Sequence, residues 1–414
     1  MVKQGYKQTE IGVIPEKWET VKLNDCCSFL GGGTPPKNIL EYWEGTIPWV
    51  SSSDLCNNDV YSINVNRYIT EKAIAMSATN KCPAGTVLVV SRVGVGKVAL
   101  STCEICTSQD FTNIIPEKHN ALFLSYVLVP IMINKANEAQ GTSIKGVTTE
   151  EIKQTTVIFP PIAEQQLITE TLSDVDGMIS SLEKLIAKKK AVKQGAMQEL
   201  LTGKKRLSGY TGEWVEKNVE DIVIRFATGL NPRQNFKLND GGINYYVTIK
   251  DFKDGRLFLD DECDRIDDVA LARINERSDL RKNDLLFSSI GRIGDAYLIT
   301  ETPQNWNINE SVFALRPNTQ LINPLMLYYL LTSDSVKRRL TDSTTGSTLK
   351  SIKLGHLKKI SCVFPKDLNE QVAIAAILSD IDNEIEALEQ KLAKTRELKQ
   401  GMMQQLLTGK IRLV

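Results

Sequence analysis

The chain has 414 residues, 42% of them apolar, and its 50 lysines and arginines balance 50 aspartates and glutamates. This composition excludes a wholly disordered chain, and the length is enough for about two to four domains. The sequence has no apolar run of the roughly 18 residues that cross a bilayer, and its N-terminus has no signal-peptide pattern. We therefore expect a cytoplasmic protein without a membrane partner.

Two long regions, residues 1–160 and 208–365, alternate β-rich runs with turns rich in Gly, Ser, Asn and Pro. The patterns predict a strand at 86–90 and a helix at 122–137 in the first region, and a strand at 284–287 and a helix at 324–340 in the second. The sequence thus predicts two α+β domains, each with a strongly bent sheet.

Each of these regions is followed by a predicted long helix, at 165–201 and at 371–407. Apolar residues recur there in alternating steps of four and three, which is the seam of a coiled coil. The seam consists of Ile168, Leu172, Val175, Ile179, Leu182 and Ile186 in the first helix and of Ile374, Leu378, Ile381, Ile385, Leu388 and Leu392 in the second. Two matching stripes most simply pack on each other, although each helix could instead cover only its own domain.

The seam is interrupted at Lys189 and Thr395 and resumes at Val192 and Leu398, which predicts looser packing at that level. Asp367 with Glu370 has the pattern of a capping box at the start of the second helix. Gly203 and Gly409 are the expected left-handed helix stops. A helix of 37 residues would be about 55 Å long.

The two helical segments are copies of each other. With an offset of 206, residues 164–207 match 370–413 without a gap, and 24 of the 44 aligned positions are identical. Weaker similarities continue upstream, where Trp18 parallels Trp214. The sequence therefore predicts four domains: 1–160, 161–207, 208–365 and 366–414. It also predicts a pseudo-twofold repeat in which one scaffold presents two different surfaces.

The turns of the two mixed regions carry small and polar residues that suit hydrogen bonds to phosphates or base edges. The candidate DNA-contacting residues are Thr34, Lys37, Ser51, Ser53, Arg92, Lys97, Thr142, Ser143 and Lys145 in the first region and Arg233, Gln234, Lys250, Ser289, Arg292, Ser347, Thr348 and Lys350 in the second. Any one of these loops could be an ordinary polar turn. Their recurrence at equivalent places favours the functional interpretation.

With these features the chain resembles the DNA specificity subunits of type I restriction–modification systems. The resemblance is carried by the order of the domains, the entry segment 12–18, the pair Pro160-Pro161 shortly before 164–166, and the segment 200–204, and it covers essentially the whole chain. In the second copy, Pro365 stands where the first has two prolines.

The resemblance implies that 1–160 and 208–365 are target recognition domains, each recognising one half of a split sequence in double-stranded DNA. It implies that the long helices form an antiparallel coiled coil that acts as a spacer. It further implies that the helical segments dock two methyltransferase subunits, which carry S-adenosylmethionine, and that a restriction and translocase subunit can join them.

The sequence itself contains no convincing catalytic signature. The segment 94–97 faintly resembles a phosphate loop, but Val98 replaces the required Ser or Thr and the glycine spacing is wrong. No Asn-Pro-Pro-aromatic or Asp-Pro-Pro-aromatic run of adenine methyltransferases occurs. The repeated carboxylates Asp174, Asp176, Asp380 and Asp382 are interpreted as a solvated helix surface or a partner contact. We therefore expect a non-catalytic chain that holds no cofactor.

Eight irregularly spaced cysteines predict reduced thiols in the core. Cys103 and Cys106 have the spacing of half a zinc site. However, no second pair follows, and neither His119 nor His356 has the context of a ligand. We expect no structural metal.

The charge is balanced in every part of the chain, since the four predicted domains carry −1, +2, 0 and −1. Phosphate neutralisation dominates affinity for DNA, so a nearly neutral chain should bind DNA weakly by itself and strongly with a methyltransferase partner. A rigid spacer should place the two half-sites about 10 bp apart on one face of the DNA. The alternatives are a coiled-coil scaffold that does not recognise DNA and an enzyme with its own methyltransferase activity.

Overall fold

In a computed structural model, the protein forms two compact units, one made of residues 1–183 and 391–414 and the other of residues 184–390. The structure describes residues 4–139, 146–233, 235–253, 255–342 and 351–413. Each unit contains one mixed region and one half of each long helix. The predicted α+β class with an internal repeat is confirmed. The four predicted domain boundaries stay predictions, because the compact units divide within the long helices.

The strands of the first unit are β1 (Tyr6–Thr9), β2 (Gly12–Pro15), β3 (Glu19–Lys22), β4 (Cys27–Gly31), β5 (Ile47–Val50), β6 (Arg67–Ile69), β7 (Lys81–Cys82), β8 (Val87–Val90), β9 (Val98–Leu100), β10 (Ile105–Thr107), β11 (Phe111–Pro116) and β12 (Thr156–Phe159). One sheet has the order β4-β11-β8-β9, and another has the order β6-β5-β10-β7, with β5 and β10 parallel. Strand β12 pairs with β3, and β1 pairs with β2.

The strands of the second unit are β13 (Trp214–Asn218), β14 (Val223–Thr228), β15 (Asn244–Val247), β16 (Phe252–Lys253), β17 (Arg256–Leu257), β18 (Asp264–Ile266), β19 (Leu285–Ser288), β20 (Ala296–Leu298), β21 (Trp306–Ile308), β22 (Val312–Pro317) and β23 (Ser361–Pro365). Here the order β14-β22-β19-β20 repeats the first sheet, and β18-β15-β21, with β15 and β21 parallel, repeats the second. The pair β13-β23 corresponds to β3-β12. The two units thus share one topology.

The helices are α1 (Leu23–Cys26), α2 (Glu71–Ala75), α3 (Ala121–Ala139), α4 (Thr149–Lys153), α5 (Ile162–Leu200), α6 (Val219–Ile222), α7 (Asp268–Ser278), α8 (Pro324–Thr332), α9 (Asp334–Asp342), α10 (Leu354–Lys358) and α11 (Leu368–Leu406), with 3₁₀ turns at Leu40–Trp43 and Ser52–Asp54. The helix predicted at 122–137 is confirmed. The single helix predicted at 324–340 is wrong, because Ser333 is extended and separates α8 from α9. Its hydroxyl donates to the Leu330 carbonyl at 2.7 Å, which ends α8.

A single bent sheet in each unit is also wrong, since each unit has two separate larger sheets. In the first unit, Val87 and Val89 of β8 face the core beneath α3, while Leu88 and Val90 face the core shared with β5 and β10. All four residues are buried, so β8 lies between a helix layer and a second sheet. A continuous apolar run is the signature of a strand covered on both faces. The apolar run of β19 is covered on both faces in the same way.

Both long helices begin three residues earlier than predicted. The Pro161 carbonyl accepts the backbone N–H of Glu164 at 2.8 Å, so the first turn forms directly after the proline pair. In the second copy, the predicted cap residue Asp367 accepts the backbone N–H of Asn369 at 2.9 Å. In a complete capping box the Glu370 carboxylate would accept the backbone N–H of Asp367. Here it accepts from the Arg206 side chain instead.

The predicted glycine stops are confirmed. Gly203 and Gly409 have φ of +70° and +69°, a conformation that glycine adopts without steric penalty. A Cβ at Gly409 would lie 2.5 Å from Pro15, and one at Gly203 would lie 3.3 Å from the Trp214 ring. Both stops therefore also serve as packing surfaces for the start of a mixed region.

The side chains of the predicted seam are buried or half-buried up to residues 186 and 392. The fully or nearly fully buried members are Ile168, Leu172, Leu182, Ile186, Ile374, Leu378 and Ile385, and the half-buried ones are Val175, Ile179, Ile381, Leu388 and Leu392. The resumption of the seam at Val192 and Leu398 is wrong, since these side chains are 50% and 57% exposed. Thr395 and Lys399 are buried instead, so the heptad continues through polar side chains.

Ion pairs fix the antiparallel direction of the helix pair. In the first unit, Arg396 pairs with Glu183 at 2.6 Å. In the second unit, Lys190 pairs with Glu389 at 2.8 Å. A second ion pair in each unit defines the direction. Asp176 pairs with Lys399 in the first unit and Lys193 with Asp382 in the second, so successive pairs step forward along one helix and backward along the other. The coiled coil and its antiparallel direction, predicted from the resemblance, are confirmed within each unit.

The repeated residues anchor each mixed region to the helices. Arg412 donates through Nε and Nη2 to the fully buried Glu164 at 2.6 and 2.7 Å, and the indole N–H of Trp18 donates to the same carboxylate at 3.0 Å. In the second unit, Arg206 donates to the equivalent Glu370 at 2.7 and 2.8 Å. Buried charges need such paired hydrogen bonds, which explains why these residues recur in both copies.

The cysteines are all free, but the prediction that they lie in the core holds for only six of them. Cys56 and Cys103 are exposed. Among the described residues, no group of three or more His, Cys, Asp or Glu side chains could hold a metal ion. Within the same part of the chain, no helix combines the length and the apolar character of a membrane span.

Candidate nucleic-acid interface

The first loop of the candidate interface follows β5 and is organised by a buried carboxylate. Asp54 accepts hydrogen bonds from the backbone N–H of Ser51 at 2.7 Å and from its hydroxyl at 3.0 Å. Arg67 also binds this carboxylate, and its guanidinium lies 4.6 Å from the Trp49 ring centroid. The loop is therefore held in one conformation from within.

The equivalent loop of the second unit has the same internal bonds with different side chains. Asp251 accepts from the backbone N–H of Thr248 at 2.7 Å and from its hydroxyl at 2.8 Å. Asp251 is 5% exposed. Ile249 and Lys250 occupy the two positions between them, where the first unit has two serines. The framework is thus shared, and the side chains that it presents differ.

A second loop contacts the first one in each unit. It joins β8 to β9 in the first unit and β19 to β20 in the second. Lys97 donates to the Ser52 carbonyl at 2.8 Å. In the second unit, Arg292 donates to the Ile249 carbonyl at 2.8 Å and to the Phe252 carbonyl at 3.0 Å, and it also binds Asp295 at 2.8 Å. These two cations therefore hold the loops together, although the sequence suggested that they contact DNA.

A third loop joins this arrangement in each unit. The backbone N–H of Ser91 donates to the Asp110 carbonyl at 2.8 Å, and the Ser91 carbonyl accepts from the N–H of Val147 at 2.7 Å. In the second unit, Ser289 donates its N–H to the Ser311 carbonyl at 3.1 Å and its hydroxyl to the same atom at 2.6 Å. Ser289 is 7% exposed and is committed to this bond.

The glycine loop predicted at 31–35 packs against the same region. Gly33 donates its N–H to the Thr107 carbonyl at 2.8 Å, and its own carbonyl accepts from Trp49 at 2.9 Å. A Cβ at Gly32 would lie 1.9 Å from the Ser108 carbonyl oxygen, and one at Gly229 would lie 1.6 Å from that of Ile308. Only glycine permits this close backbone approach.

We call these convergent segments the first loop cluster (31–35, 51–54, 91–97, 108–110 and 146–147) and the second loop cluster (229–230, 248–251, 289–295, 309–311 and 351–352). The structure thus brings together loops that the sequence could only identify one by one. The backbone bonds that join them recur at equivalent positions in the two units. Lys97 and Arg292 donate to equivalent carbonyls, those of Ser52 and Ile249, from different positions of their loops.

The predicted DNA-contacting residues fall into three sets. Lys37, Ser53, Arg92, Arg233 and Lys250 are exposed. Thr34, Ser51, Lys97, Ser289 and Arg292 are bonded within the loops. Thr142, Ser143, Lys145, Gln234, Ser347, Thr348 and Lys350 lie outside the described residues. The first two sets overlap, because the exposed Ser53 hydroxyl also bonds the Ser51 hydroxyl at 2.9 Å and the bonded Arg292 is itself exposed.

Although exposed, Lys250 makes two contacts within its own unit. Its ammonium lies 3.2 Å from the Glu262 carbonyl and 3.6 Å from the Asp264 carboxylate. Such exposed contacts are weak and easily exchanged for a phosphate. Lys250 can therefore leave this position when an anion approaches.

Several polar side chains of this surface were missed by the sequence argument. Gln109 and Glu310 are exposed at equivalent turns of the two loop clusters. Arg273 and Arg277 lie on the exposed face of α7 and donate to the Asn235 carbonyl at 2.6 Å and to the Thr228 hydroxyl at 3.1 Å. Their spacing of four residues in an amphipathic helix was the signal that could have found them.

Comparison with known proteins identifies the family. The sequence profile described as "Type I restriction modification DNA specificity domain" matches residues 15–194 and 211–397. The chain belongs to this family, with two copies of the domain. The match covers both mixed regions and most of both long helices.

Curated relatives agree. This chain is 36% identical to the type I restriction enzyme MjaIX specificity subunit of Methanocaldococcus jannaschii over 186 residues, which are 43% of this chain and 42% of the relative. It is 23% identical to the MjaVIII specificity subunit of the same organism over 99% of this chain and 97% of the relative. It is 32% identical to the EcoR124I/EcoR124II specificity subunit of Escherichia coli over 40% of this chain and 42% of that relative.

Solved structures share the fold. The S subunit of the type I restriction–modification system of M. genitalium superposes with a TM-score of 0.58 at 16% identity, covering 94% of this chain and 96% of that one. A chain from a structure titled for complex assembly and conformational transition of the type I R-M system gives a TM-score of 0.57 at 17% identity, covering 96% and 99%. At these identities the likeness concerns the fold.

Proposed function

We propose that this chain is the DNA-recognition subunit of a type I restriction–modification complex, in which each loop cluster recognises one half of a bipartite, asymmetric target. The observation that carries the proposal is the equivalence of the two loop clusters. Each is a glycine-lined set of loops tied together by its own backbone bonds and by one buried aspartate, and each presents different side chains at equivalent positions.

The exposed side chains suit contacts to DNA. Arg92 and Lys37 in the first unit, and Arg233 and Lys250 in the second, can neutralise phosphates. Serine, threonine and amide side chains of the loops can recognise base edges. Since the loops are held from within, little conformational entropy is lost when they bind.

The long helices are proposed to set the gap between the half-sites and to dock two methyltransferase subunits, which supply S-adenosylmethionine and the methyl-transfer chemistry. A restriction and translocase subunit would add cleavage. The near-zero charge of the chain supports this division of labour, because a neutral recognition subunit needs cations from its partners to bind DNA tightly. In this proposal the chain itself is not catalytic and acts in the cytoplasm.

The decisive experiment is co-expression with the adjacent methyltransferase gene, followed by genome-wide mapping of methylated adenine. We expect one asymmetric motif of two short specified parts separated by an unspecified gap. Replacing residues 1–160 with those of a relative should change one part only, and replacing 208–365 should change the other part only. A continuous or palindromic motif, or a motif that neither exchange alters, would contradict the proposal.

Binding measurements test the division of labour. The isolated chain should bind a target duplex weakly, and addition of the methyltransferase should make the binding strong. Equally tight sequence-specific binding by the isolated chain would be inconsistent with it. A scaffold that pairs proteins without recognising DNA would show no sequence preference in either state.

A further inference from the structure

A buried junction joins three separate elements in the first unit. Tyr126 of α3 donates its hydroxyl to Asp176 of α5 at 2.7 Å, and Lys399 of α11 binds the other oxygen of this carboxylate at 2.6 Å. The Lys399 ammonium also lies 5.5 Å from the centroid of the Tyr126 ring. The mixed region and both long helices therefore meet at one carboxylate.

The second unit contains the same junction with the helix roles exchanged. Tyr329 of α8 donates to Asp382 of α11 at 2.9 Å, and Lys193 of α5 binds the other oxygen at 2.6 Å. The Lys193 ammonium lies 5.7 Å from the centroid of the Tyr329 ring. The expected solvated surface is therefore wrong for Asp176, whose side chain is 15% exposed, whereas Asp382 is 34% exposed and stays partly solvated although a lysine and a tyrosine bind it.

In the first unit, water has little access to the groups of this junction and rarely replaces their bonds. The side chains of Lys399 and Asp176 are 10% and 15% exposed, and Tyr126 is fully buried. Burial, together with the hydrogen bonds from Tyr61 and to Asp176, raises the pKa of Tyr126, so the phenol stays a donor. An ion pair of this kind contributes little net stability, but a missing partner would leave a buried charge uncompensated.

The junction does what apolar packing alone does not. Apolar side chains tolerate small sliding movements, whereas a carboxylate that serves two donors from two elements fixes both distances and directions. The tyrosine distinguishes this junction from an ordinary ion pair between two helices, because it adds a bond from the mixed region. The lysine distinguishes it from an ordinary contact between a mixed region and one helix, because it adds a bond from the other helix.

We infer that Asp176 and Asp382 are positioning residues, each of which ties one recognition domain to both long helices at once, so that the placement of its loop cluster on DNA depends on how the helices pair. The inference rests on the proposed function. It predicts that loosening one junction broadens the range of gaps that the complex accepts between the two half-sites.

The test uses the full chain in complex with its methyltransferase and a set of duplexes in which the gap between the mapped half-sites varies by single base pairs. In Asp176→Asn, the preference for the native gap over the neighbouring gaps should fall by about tenfold, which is the size expected for one coupled contact. Tyr126→Phe removes only the hydroxyl and should give a smaller change in the same direction. The matched control is Asp174→Asn, an exposed carboxylate two residues away, which should leave the gap profile unchanged.

A gap profile in Asp176→Asn and Tyr126→Phe identical to that of the wild type would overturn the inference. If the wild-type complex itself shows no gap preference, the proposed function fails instead. In that event, a double-mutant cycle between Tyr126→Phe and Lys399→Met, followed by unfolding, still decides the structural part. Coupled free energies of unfolding support a junction of domain and helix, and additive ones refute it.

Discussion

The two units use the same residues to hold their domains and different residues to present to a ligand. Glu164 and Glu370 bind equivalent arginines, and Asp176 and Asp382 bind equivalent lysines and tyrosines. In the loop clusters, by contrast, only the organising aspartate and the backbone bonds recur. An anchor must satisfy buried charges in one geometry, whereas an exposed loop side chain must only remain compatible with its backbone. The comparison therefore separates scaffold from specificity within one chain.

The anchors nevertheless differ in one bond. The Trp18 indole N–H donates to Glu164 at 3.0 Å, while the indole nitrogen of Trp214 is buried and finds no partner among the described residues. Instead, the Arg206 guanidinium lies 5.6 Å from the centroid of the Trp214 ring. The first domain is thus held by one more charge-assisted hydrogen bond than the second.

The largest effect should come from removing the buried carboxylates. Glu164→Ala leaves Arg412 and Trp18 without their acceptor, and it should lower the free energy of unfolding by about 3–5 kcal/mol. Glu370→Ala should lower the free energy of unfolding less than Glu164→Ala does. The difference should be about 1.5–3 kcal/mol, which is typical of one hydrogen bond to a charged group. Urea denaturation of both variants checks this order. Equal losses would mean that the extra tryptophan bond contributes nothing.

A matched pair of tryptophan variants isolates that bond. Trp18→Phe and Trp214→Phe remove the same ring volume, but only the first removes a hydrogen bond to a buried carboxylate. We expect Trp18→Phe to be more destabilising by about 1.5–3 kcal/mol, because it removes one of the two donors to Oε2 of the buried Glu164 carboxylate. The measurement is again the free energy of unfolding, and a larger loss for Trp214→Phe would refute the assignment.

Two cations test the distinction between contact and scaffold in the loop clusters. Arg92→Ala should leave the melting temperature unchanged, and it should reduce the slope of log K against log[salt] for DNA binding by about 1, since one phosphate contact is lost. Arg292→Ala should instead lower the free energy of unfolding of the second unit by about 1–3 kcal/mol, because it removes bonds to two carbonyls. Salt titrations and denaturation of the methyltransferase complex and the chain distinguish the two outcomes. A stable Arg292→Ala variant with a reduced slope would reverse the assignment of Arg292.

The smallest effect concerns pH. Burial lowers the pKa of His119, which stacks on Phe159 at 3.6 Å, whereas the second unit has Ile322 at the equivalent position. The folded state disfavours protonation, so this stability is fully present above the unfolded pKa of about 6.5 and is lost as the pH falls through the folded value. Relative to His119→Leu, the wild type should lose thermal stability as the pH falls from about 7.5 to 5.5. A constant difference in melting temperature across this range would contradict the expectation.

Much of the fold was predictable because its signals are periodic or repeated. The seam from Ile168 to Leu182, the left-handed stops at Gly203 and Gly409, and the strands at Val87–Val90 and Leu285–Ser288 all follow from local patterns. The division of the second domain's helix at Ser333 did not follow, because nothing in the local sequence requires an extended residue there. The continuation of the seam through Lys399 also escaped prediction, since a lysine is buried only when a distant carboxylate neutralises it.

The duplication, the two long helices, the α+β class and the set of polar loops all follow from the amino-acid sequence, because hydrophobic period, glycine placement and a 206-residue offset are properties of a single chain. Which polar residues hold the scaffold and which stay exposed depends instead on the contacts of the folded chain. Partners far away in the sequence make Lys97, Ser289 and Arg292 connect the loops, and they make Asp176 and Asp382 connect a mixed region to both helices. The role of a polar side chain depends on whether its neighbours in space satisfy it, and residue type alone does not contain that information.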